Sequence, residues 1–348
     1  MNTKSERLNE NLRNALHRLM TEDDAVIVMG EDVPEPYGGA FKITKGLSDS
    51  FPGRVIGTPI SEEGFVNMAA GMAIMGLRPI VDMMFSDFAA LAFDPLLNFA
   101  SKSVAMYGKR LDIPMIVRCA NGGYRGYGAT HSQSMQKYFI GIPHLSVYEM
   151  SPFHDNYSVF KRMLEEKNPC VFFEEKTAYA QWRYINGEID DLFGYSYRGA
   201  DGNWAVAAIE QEAVADVVII CPGGMASICL AAAEKLIMEE EIEVKLCVPS
   251  KLYPCRTEDI AGEAAAAGKV LIVEEGTSGG SWGEGIAVQL YSRLNRDWGG
   301  AVELLCSRDT VIPAAVHHER RMLVSERDIY ERALRLARQD TAVTGGRI

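Results

Sequence analysis

Short apolar runs recur along this chain with helix-like segments between them, and that alternation constrains the fold more than any other feature. "AVIVMGEDV", "PIVDMMF", "PMIVRCA", "LSVYEM" and "PCVFFEE" lie in the first half; "DVVIICPGG", "EVKLCVPS", "KVLIVEEG" and "AVELLCS" lie in the second. Most are continuously apolar rather than alternating, so both faces of each strand are expected to be buried. Between them Leu8, Leu12, Leu16 and Leu19 fall at helical spacing, and further helices are expected over Asp87 to Met106, Asp155 to Glu166, Asp259 to Ala267, Trp282 to Leu294, and from Glu326 onward. The pattern predicts an α/β protein whose mostly parallel sheets are covered on both faces.

At 348 residues the chain exceeds a single ordinary core. Periodicity fails in "KTAYAQWRYINGEIDDLFGYSYRGADGNW", so residues 1–175 are expected to form one domain, 176–205 a linker, and 206–348 a smaller α/β domain. The formal net charge of −12 argues against nucleic acid or an anionic membrane as a partner, since both need a basic face. No run approaches the ~18 apolar residues of a membrane span, and the start "MNTKSERLNENLRNALHRLM" shows no hydrophobic leader core, so a cytoplasmic location is expected. The seven cysteines include no C-x-x-C pair, and most lie in strand-like runs, as buried thiols in a reducing compartment would.

Several stretches could carry chemistry. "GTPISEEGF" puts Glu62 and Glu63 ahead of the oily helix "VNMAAGMAIMG"; the helix dipole alone favours such carboxylates by about 0.3–1 kcal/mol each. "ANGGYRGYGATHSQ" follows a strand, where open α/β sheets bind ligands, and ends with His131. Its glycines do not follow G-x-G-x-x-G, so no dinucleotide fingerprint is supported. Gly276, Ser278 and Gly280 satisfy G-x-S-x-G, and Asp309 and His317 follow in the order of a hydrolase triad, a permissive match in a chain with 32 glycines. There is no H-E-x-x-H, cysteine cluster or EF-hand loop, and His317-His318-"ERR" reads as charged surface.

"GEDVPEPYGGAFKITKGL", "GTPISEEGF", "AAGMAIMGLRPIVDMMFSDF", "GATHSQ", "NPCVFFEEK" and "VEEGTSGGSWGEGIA" fall in an order and spacing that resembles the β subunit of thiamine-diphosphate-dependent 2-oxo acid dehydrogenases. This is the E1 component family of the transketolase superfamily, with pyruvate, branched-chain and acetoin types. The resemblance implies a pyrimidine-binding domain of thiamine-diphosphate enzymes followed by a transketolase C-terminal-type α/β domain. It implies thiamine diphosphate shared with an E1 α subunit in an α2β2 heterotetramer, with Mg²⁺ held by the α chain. No GDG motif with its following asparagine is present here, which fits half of a site. By position, Glu62 would bond N1′ of the aminopyrimidine and favour its imino tautomer, leaving Glu63 to the helix dipole. Phe88 would lie against that ring, the Ile60 carbonyl would meet it, and Glu31 would border the cofactor tunnel. His131 would face the reacting C2 substituent, and Glu166 and Asn168 would flank a potassium ion in some relatives. Small residues Ala69, Ala70, Gly71, Ala73 and Gly76 suit either a subunit interface or a tight core.

The chain departs from its relatives at Gly57 before "TPI", at "GIPHL" and at "HDNYSVF". These departures bear on the acyl acceptor and substrate. The acceptor is expected to be a lipoyl-bearing E2, so that the chain serves decarboxylation of a 2-oxo acid and acyl transfer. The alternative is a transketolase-like C2 transfer from a ketose phosphate or 2-oxo acid to an acyl-carrier protein, and a third reading is a scaffold subunit without catalysis.

Overall fold

The computed structural model describes residues 6–294 and 298–339; the end of the second expected domain, residues 340–348, lies outside the described residues. The strands are β1 (Val26–Gly30), β2 (Val55–Gly57), β3 (Arg78–Asp82), β4 (Ile116–Asn121), β5 (Ser146–Glu149), β6 (Cys170–Glu175), β7 (Gly194–Arg198), β8 (Trp204–Ala208), β9 (Val217–Ile220), β10 (Val244–Pro249), β11 (Lys251–Tyr253), β12 (Lys269–Thr277) and β13 (Ala301–Ser307). They form two sheets, ordered β11-β5-β6-β4-β3-β1-β2 and β13-β12-β9-β10-β8-β7. Strands β1 to β6 pair in parallel throughout the first sheet. In the second, β9, β10, β12 and β13 are parallel, while β8 and β7 add antiparallel.

Burial explains the continuous apolar runs. All residues of β1, β4 and β6 are buried. The helix Leu8–Glu22 turns Leu8, Leu12, Leu16 and Leu19 into a cluster with Phe160 and Met163 of helix Asn156–Glu165, covering one face of the first sheet. Helices Ala226–Glu240 and Glu326–Ala337 cover the second sheet in the same way. A third cluster runs through both halves, from Met29, Val81 and Val117 to Val218, Ile220 and Val270. Among the described residues no helix is long and apolar enough to cross a membrane.

Two expectations need correction, and the connecting segment carries structure that the sequence did not announce. Within the segment 176–205, expected as the linker, β7 and the first residues of β8 form a hairpin. Burial along β7 does not alternate, since Tyr195 is buried while Tyr197, two residues on and on the same side of the strand, is exposed, so no period of two marks this strand in the sequence. The helix expected over Asp87 to Met106 is instead a 3-10 turn at Ser86–Ala90, a π-turn at Pro95–Ala100 and one α-turn at Ser101–Ser103. Pro95 lacks the N–H that a continuous helix would need. The "HHERR" stretch forms the helix Val316–Met322, in which Glu319 is 0% exposed rather than on the surface. In addition β11 crosses from the second half to pair antiparallel with β5, so the first sheet is completed by the later part of the chain.

Candidate active site

The carboxyl ends of β1, β3 and β4 and the turn after β2 converge on one region, where open parallel sheets present their ligands. Glu31 follows β1, Glu62 starts the helix Glu62–Ile74 after β2, Phe85 to Phe88 follow β3, and Gly122 to His131 follow β4. Beneath them lies a rigid floor. Buried Arg118 of β4 donates from Nε to Glu174 Oε1 at 2.7 Å and from Nη1 to Asp82, and the Tyr179 hydroxyl donates to Glu174 Oε2 at 2.7 Å. Each end of the guanidinium is thus satisfied in a dry interior, the condition under which buried charge is tolerated.

The two glutamates of the "ISEEGF" stretch part company. Glu62 is 8% exposed while Glu63 faces solvent. The Glu62 carboxylate has no hydrogen-bond or ion-pair partner among the described residues. Glu31 lies within its electrostatic reach: burial, then Glu62, then Asp32 push the Glu31 carboxyl above its ordinary value. Its Oε1 is buried with no hydrogen-bond partner. Two neighbouring carboxylates without donors make a site that a nitrogen-bearing ligand would complete.

On the helix behind Glu62, Ala69, Ala70 and Ala73 pack into the core. Met68, Gly71 and Met75 lie on the outward side: a Cβ at Gly71 would meet nothing within 4 Å, and Met75 is 83% exposed. Ile60, just before the start of this helix, is also 83% exposed.

His131 ends the short helical turn Gly128–His131. Its Nδ1 lies 2.9 Å from Asp87 Oδ1 and 3.1 Å from Oδ2. Phe85 stacks on the imidazole at 4.3 Å between centroids, and Phe88 meets it edge-on at 5.4 Å. The carboxylate makes Nδ1 the proton-bearing nitrogen, and the two rings lock the imidazole plane, so Nε2 is the nitrogen left for other chemistry. Asp87 and Phe85 escaped the sequence reading, although both stand in the "FSDF" that supplied Phe88. A carboxylate five residues after a strand carries no signal of its own; only the fold brings it to His131.

The structure brings Glu31, Glu62, Phe88 and His131 to one end of the first sheet. It does not join Glu166 and Asn168 as a cation site. Glu166 accepts from Ser146 Oγ at 2.6 Å, from the Tyr148 hydroxyl and from the Lys251 ammonium, while Asn168 Oδ1 accepts from Arg110 at 2.9 Å. The protein's own cations take up both groups, and Lys251 comes from β11, whose crossing to the first sheet no local pattern announces. The hydrolase arrangement is likewise unassembled: the Ser278 carbonyl accepts from Lys137, His317 stacks on His318, and no hydrogen bond joins Ser278, Asp309 and His317 among the described residues.

Between the sheets, Glu149, Glu175, Glu274 and Glu275 line a small, water-sized cavity. Glu275 Oε1 accepts from Gly123 N at 2.8 Å and Ser134 Oγ at 2.7 Å; Glu149 accepts from Gln136 and Gly224 N, both at 2.7 Å. Gly122 must be glycine here, with φ +81° and a Cβ position 1.5 Å from Glu175 Oε2. Burial raises the carboxyls of all four, that of Glu149 to about 7 against an ordinary 4.5. The folded state therefore binds more protons than the unfolded chain between those values. The stability Glu149 lends is complete below about pH 4.5 and is lost as pH rises through about 7. Thermal unfolding followed by circular dichroism should show the melting temperature falling across that window, and Glu149→Gln should flatten the fall by up to about 3 kcal/mol.

The comparisons with known proteins agree along the chain. Residues 7–181 match the transketolase pyrimidine-binding domain family, and residues 206–329 the transketolase C-terminal domain family. A pyruvate dehydrogenase E1 component subunit beta of Rickettsia felis is 32% identical over 324 residues, covering 92% of this chain and 95% of the relative. The mitochondrial subunit of that name from Dictyostelium discoideum is 29% identical over 343 residues, covering 97% and 93%. Subunit beta-1 from Oryza sativa subsp. japonica is 32% identical, covering 94% and 85%. Among solved structures, a split-gene transketolase described as an inactive β4 tetramer superposes with a TM-score of 0.71 at 20% identity, covering 96% of this chain and all of that one. A Pichia stipitis transketolase superposes with a TM-score of 0.67 at 14% identity, this chain spanning 46% of it. These two likenesses concern the fold alone.

Proposed function

Because the chain belongs to the family of pyruvate dehydrogenase E1 component β subunits, with the transketolase pyrimidine-binding and C-terminal domains, we propose that it is the β half of a thiamine-diphosphate-dependent 2-oxo acid dehydrogenase. It would work with an E1 α subunit, as an α2β2 heterotetramer, to decarboxylate a 2-oxo acid and pass the acyl unit to a lipoyl group on an E2 carrier. The proposed division of the chain is 1–175 for the pyrimidine-binding domain, 176–205 for the connecting hairpin segment and 206–348 for the second domain. Seven unpaired thiols, five of them buried, support a reducing compartment such as the cytoplasm.

The observation that carries this reading is the buried, unpartnered carboxylate of Glu62 beside Glu31. The residues present fit thiamine diphosphate: an aminopyrimidine offers ring nitrogens and an amino group to carboxylates that have no protein donors. Glu62 would hold N1′ by a charge-assisted hydrogen bond, Phe88 and the Ile60 carbonyl would seat the ring, and Glu31 would border it. When bound, the cofactor supplies the electron sink that decarboxylation of a 2-oxo acid requires. His131 keeps its Nδ1 proton against Asp87 and presents Nε2 to take up or release a proton during acyl transfer. Mg²⁺ and the diphosphate grip are assigned to the α chain. The outward surface of Ile60, Met68, Gly71 and Met75 is the proposed contact with that chain.

Two-carbon ketol transfer is the weaker reading. Relatives near 30% identity carry the E1 β name, whereas the likeness to transketolases is at 14–20% identity. The test is reconstitution with an E1 α chain. CO₂ release from pyruvate or a branched-chain 2-oxo acid, coupled to ferricyanide, should require both chains, thiamine diphosphate and Mg²⁺. Glycolaldehyde transfer from a ketose phosphate, without 2-oxo acid turnover, would reverse the choice.

A further inference from the structure

His131 stands near the end of a loop that has little stiffness of its own. Between β4 and Met135 the chain passes through Gly122, Gly123, Gly126 and Gly128, and glycine backbone loses more freedom on ordering than any other. The place of the His131 backbone therefore has to be imposed by contacts from outside the loop. The ring itself is fixed by Asp87, Phe85 and Phe88, all on the segment after β3.

The loop's backbone is held from the second domain. Glu275 of β12 reaches it with one carboxylate oxygen, Oε1, which accepts from the Gly123 N–H at 2.8 Å and from the Ser134 hydroxyl at 2.7 Å. Those donors stand at the two ends of the loop, with His131 between them, so a single oxygen closes the stem like a staple. The stem's own bonds, Gly122 N–H to Gln133 O and Met135 N–H to Asn121 Oδ1, both 3.1 Å, join the same two ends. At the crown of the loop Glu319 accepts from the Gly126 N–H at 2.8 Å, and the Tyr124 hydroxyl donates to Val324 O at 2.6 Å. There is no slack in the fit: an added Cβ would lie 2.5 Å from Leu323 Cδ1 at Gly123 and 2.8 Å from Val316 Cγ2 at Gly126. The ring of His131 and the loop that carries it are thus fixed from different domains.

Glu275 is buried, and a buried carboxylate is costly unless donors and cations surround it. The Ser134 hydroxyl, Lys176 and the Gly123 N–H offset part of that cost, while Glu319 adds to it. Truncating Glu275 would leave the buried Gly123 N–H without an acceptor, and the loop would have to move to find one.

We propose that Glu275 is a positioning residue for acyl transfer: from the second domain it staples the loop of residues 122–134 and so sets where His131 Nε2 meets the reacting group. The inference rests on the function proposed above and gives the second domain a part in the chemistry. The leverage is geometric, since a displacement of about 1 Å at a reacting centre costs on the order of a hundredfold in rate.

The experiment is a double-mutant cycle in the assembled α/β complex, with Glu275→Ala, His131→Ala and the two combined. Glu275→Gln is the conservative variant, because its amide oxygen can accept both bonds. Single-turnover acyl transfer should fall about ten- to hundredfold in Glu275→Ala, and Glu275→Gln should keep most of the parent rate. In the His131→Ala background, Glu275→Ala should cost less than about twofold more, because it acts through the residue already removed. A general loss of structure would add in full to the His131→Ala loss, and such additivity, or an unchanged rate in Glu275→Ala, overturns the proposal. Should Glu275→Ala fail to assemble, Ser134→Ala removes one leg of the staple and must show the same non-additivity. A parent complex that turns over no 2-oxo acid refutes the proposed reaction and leaves the staple to a second reading. Hydrogen–deuterium exchange over residues 122–134 should rise roughly tenfold in Glu275→Ala and stay near the parent in Glu275→Gln; unchanged exchange overturns the staple as well.

Discussion

Glu62→Gln is expected to slow hydrogen–deuterium exchange at C2 of the bound cofactor by roughly 10²–10⁴-fold, about 3–5 kcal/mol in the barrier. On the proposed reading the amide would still reach N1′ but would carry no charge to hold a proton there, so the catalytic tautomer would lose its support. Glu63→Gln is the control. Glu63 shares the first helical turn and the same dipole, but it is exposed, so its loss should cost less than about 1 kcal/mol of stability and leave exchange unchanged. Equal, mild effects from both variants would reduce the pair to a helix start. The prediction draws its force from burial: the same carboxylate in water would exert little leverage, and Glu62 is 8% exposed.

His131→Ala should act on the other half of the reaction. Acyl transfer to the carrier is expected to fall on the order of 10²–10⁴-fold, while C2 exchange, which depends on Glu62, stays near the parent rate. Asp87→Asn should reproduce part of that loss and shift the pH dependence of transfer, because the amide can no longer fix which imidazole nitrogen bears the proton. Single-turnover acyl transfer across a pH series checks both. A His131 variant that fails to assemble, but transfers normally once assembled, would make the residue a structural member of the stack between Phe85 and Phe88.

The layered fold was legible because strands buried on both faces are written as unbroken apolar runs, and "AVIVMG" and "CVFFEE" could be little else. The β7–β8 hairpin was hidden because burial along β7 does not alternate: Tyr195 is buried and Tyr197 exposed, and their hydroxyls donate to Tyr184 O and Phe153 O. Motif pointed to Glu62, Phe88 and His131 as candidates, but it did not point to the residues packed around them. Asp87 reaches His131 across 44 positions of sequence, Glu319 reaches Gly126 across 193, and Lys251 reaches Glu166 across 85. Those pairings arise from the packing of loops at strand ends and from β11 crossing between the sheets, which local periodicity does not encode. The buried carboxylates around Glu149 are of the same kind: each looks like a surface residue until two sheets close over it.

The most direct test of half a site is calorimetry of thiamine diphosphate with Mg²⁺ on the purified chain, alone and after addition of an E1 α subunit. On the proposed reading Glu62, Glu31 and Phe88 would contact the aminopyrimidine only, so the chain alone should bind weakly, with no Mg²⁺ dependence. Micromolar, Mg²⁺-dependent binding should appear when the α chain is added and should weaken in the Glu62→Gln complex. Micromolar, Mg²⁺-dependent binding by the lone chain would contradict the account.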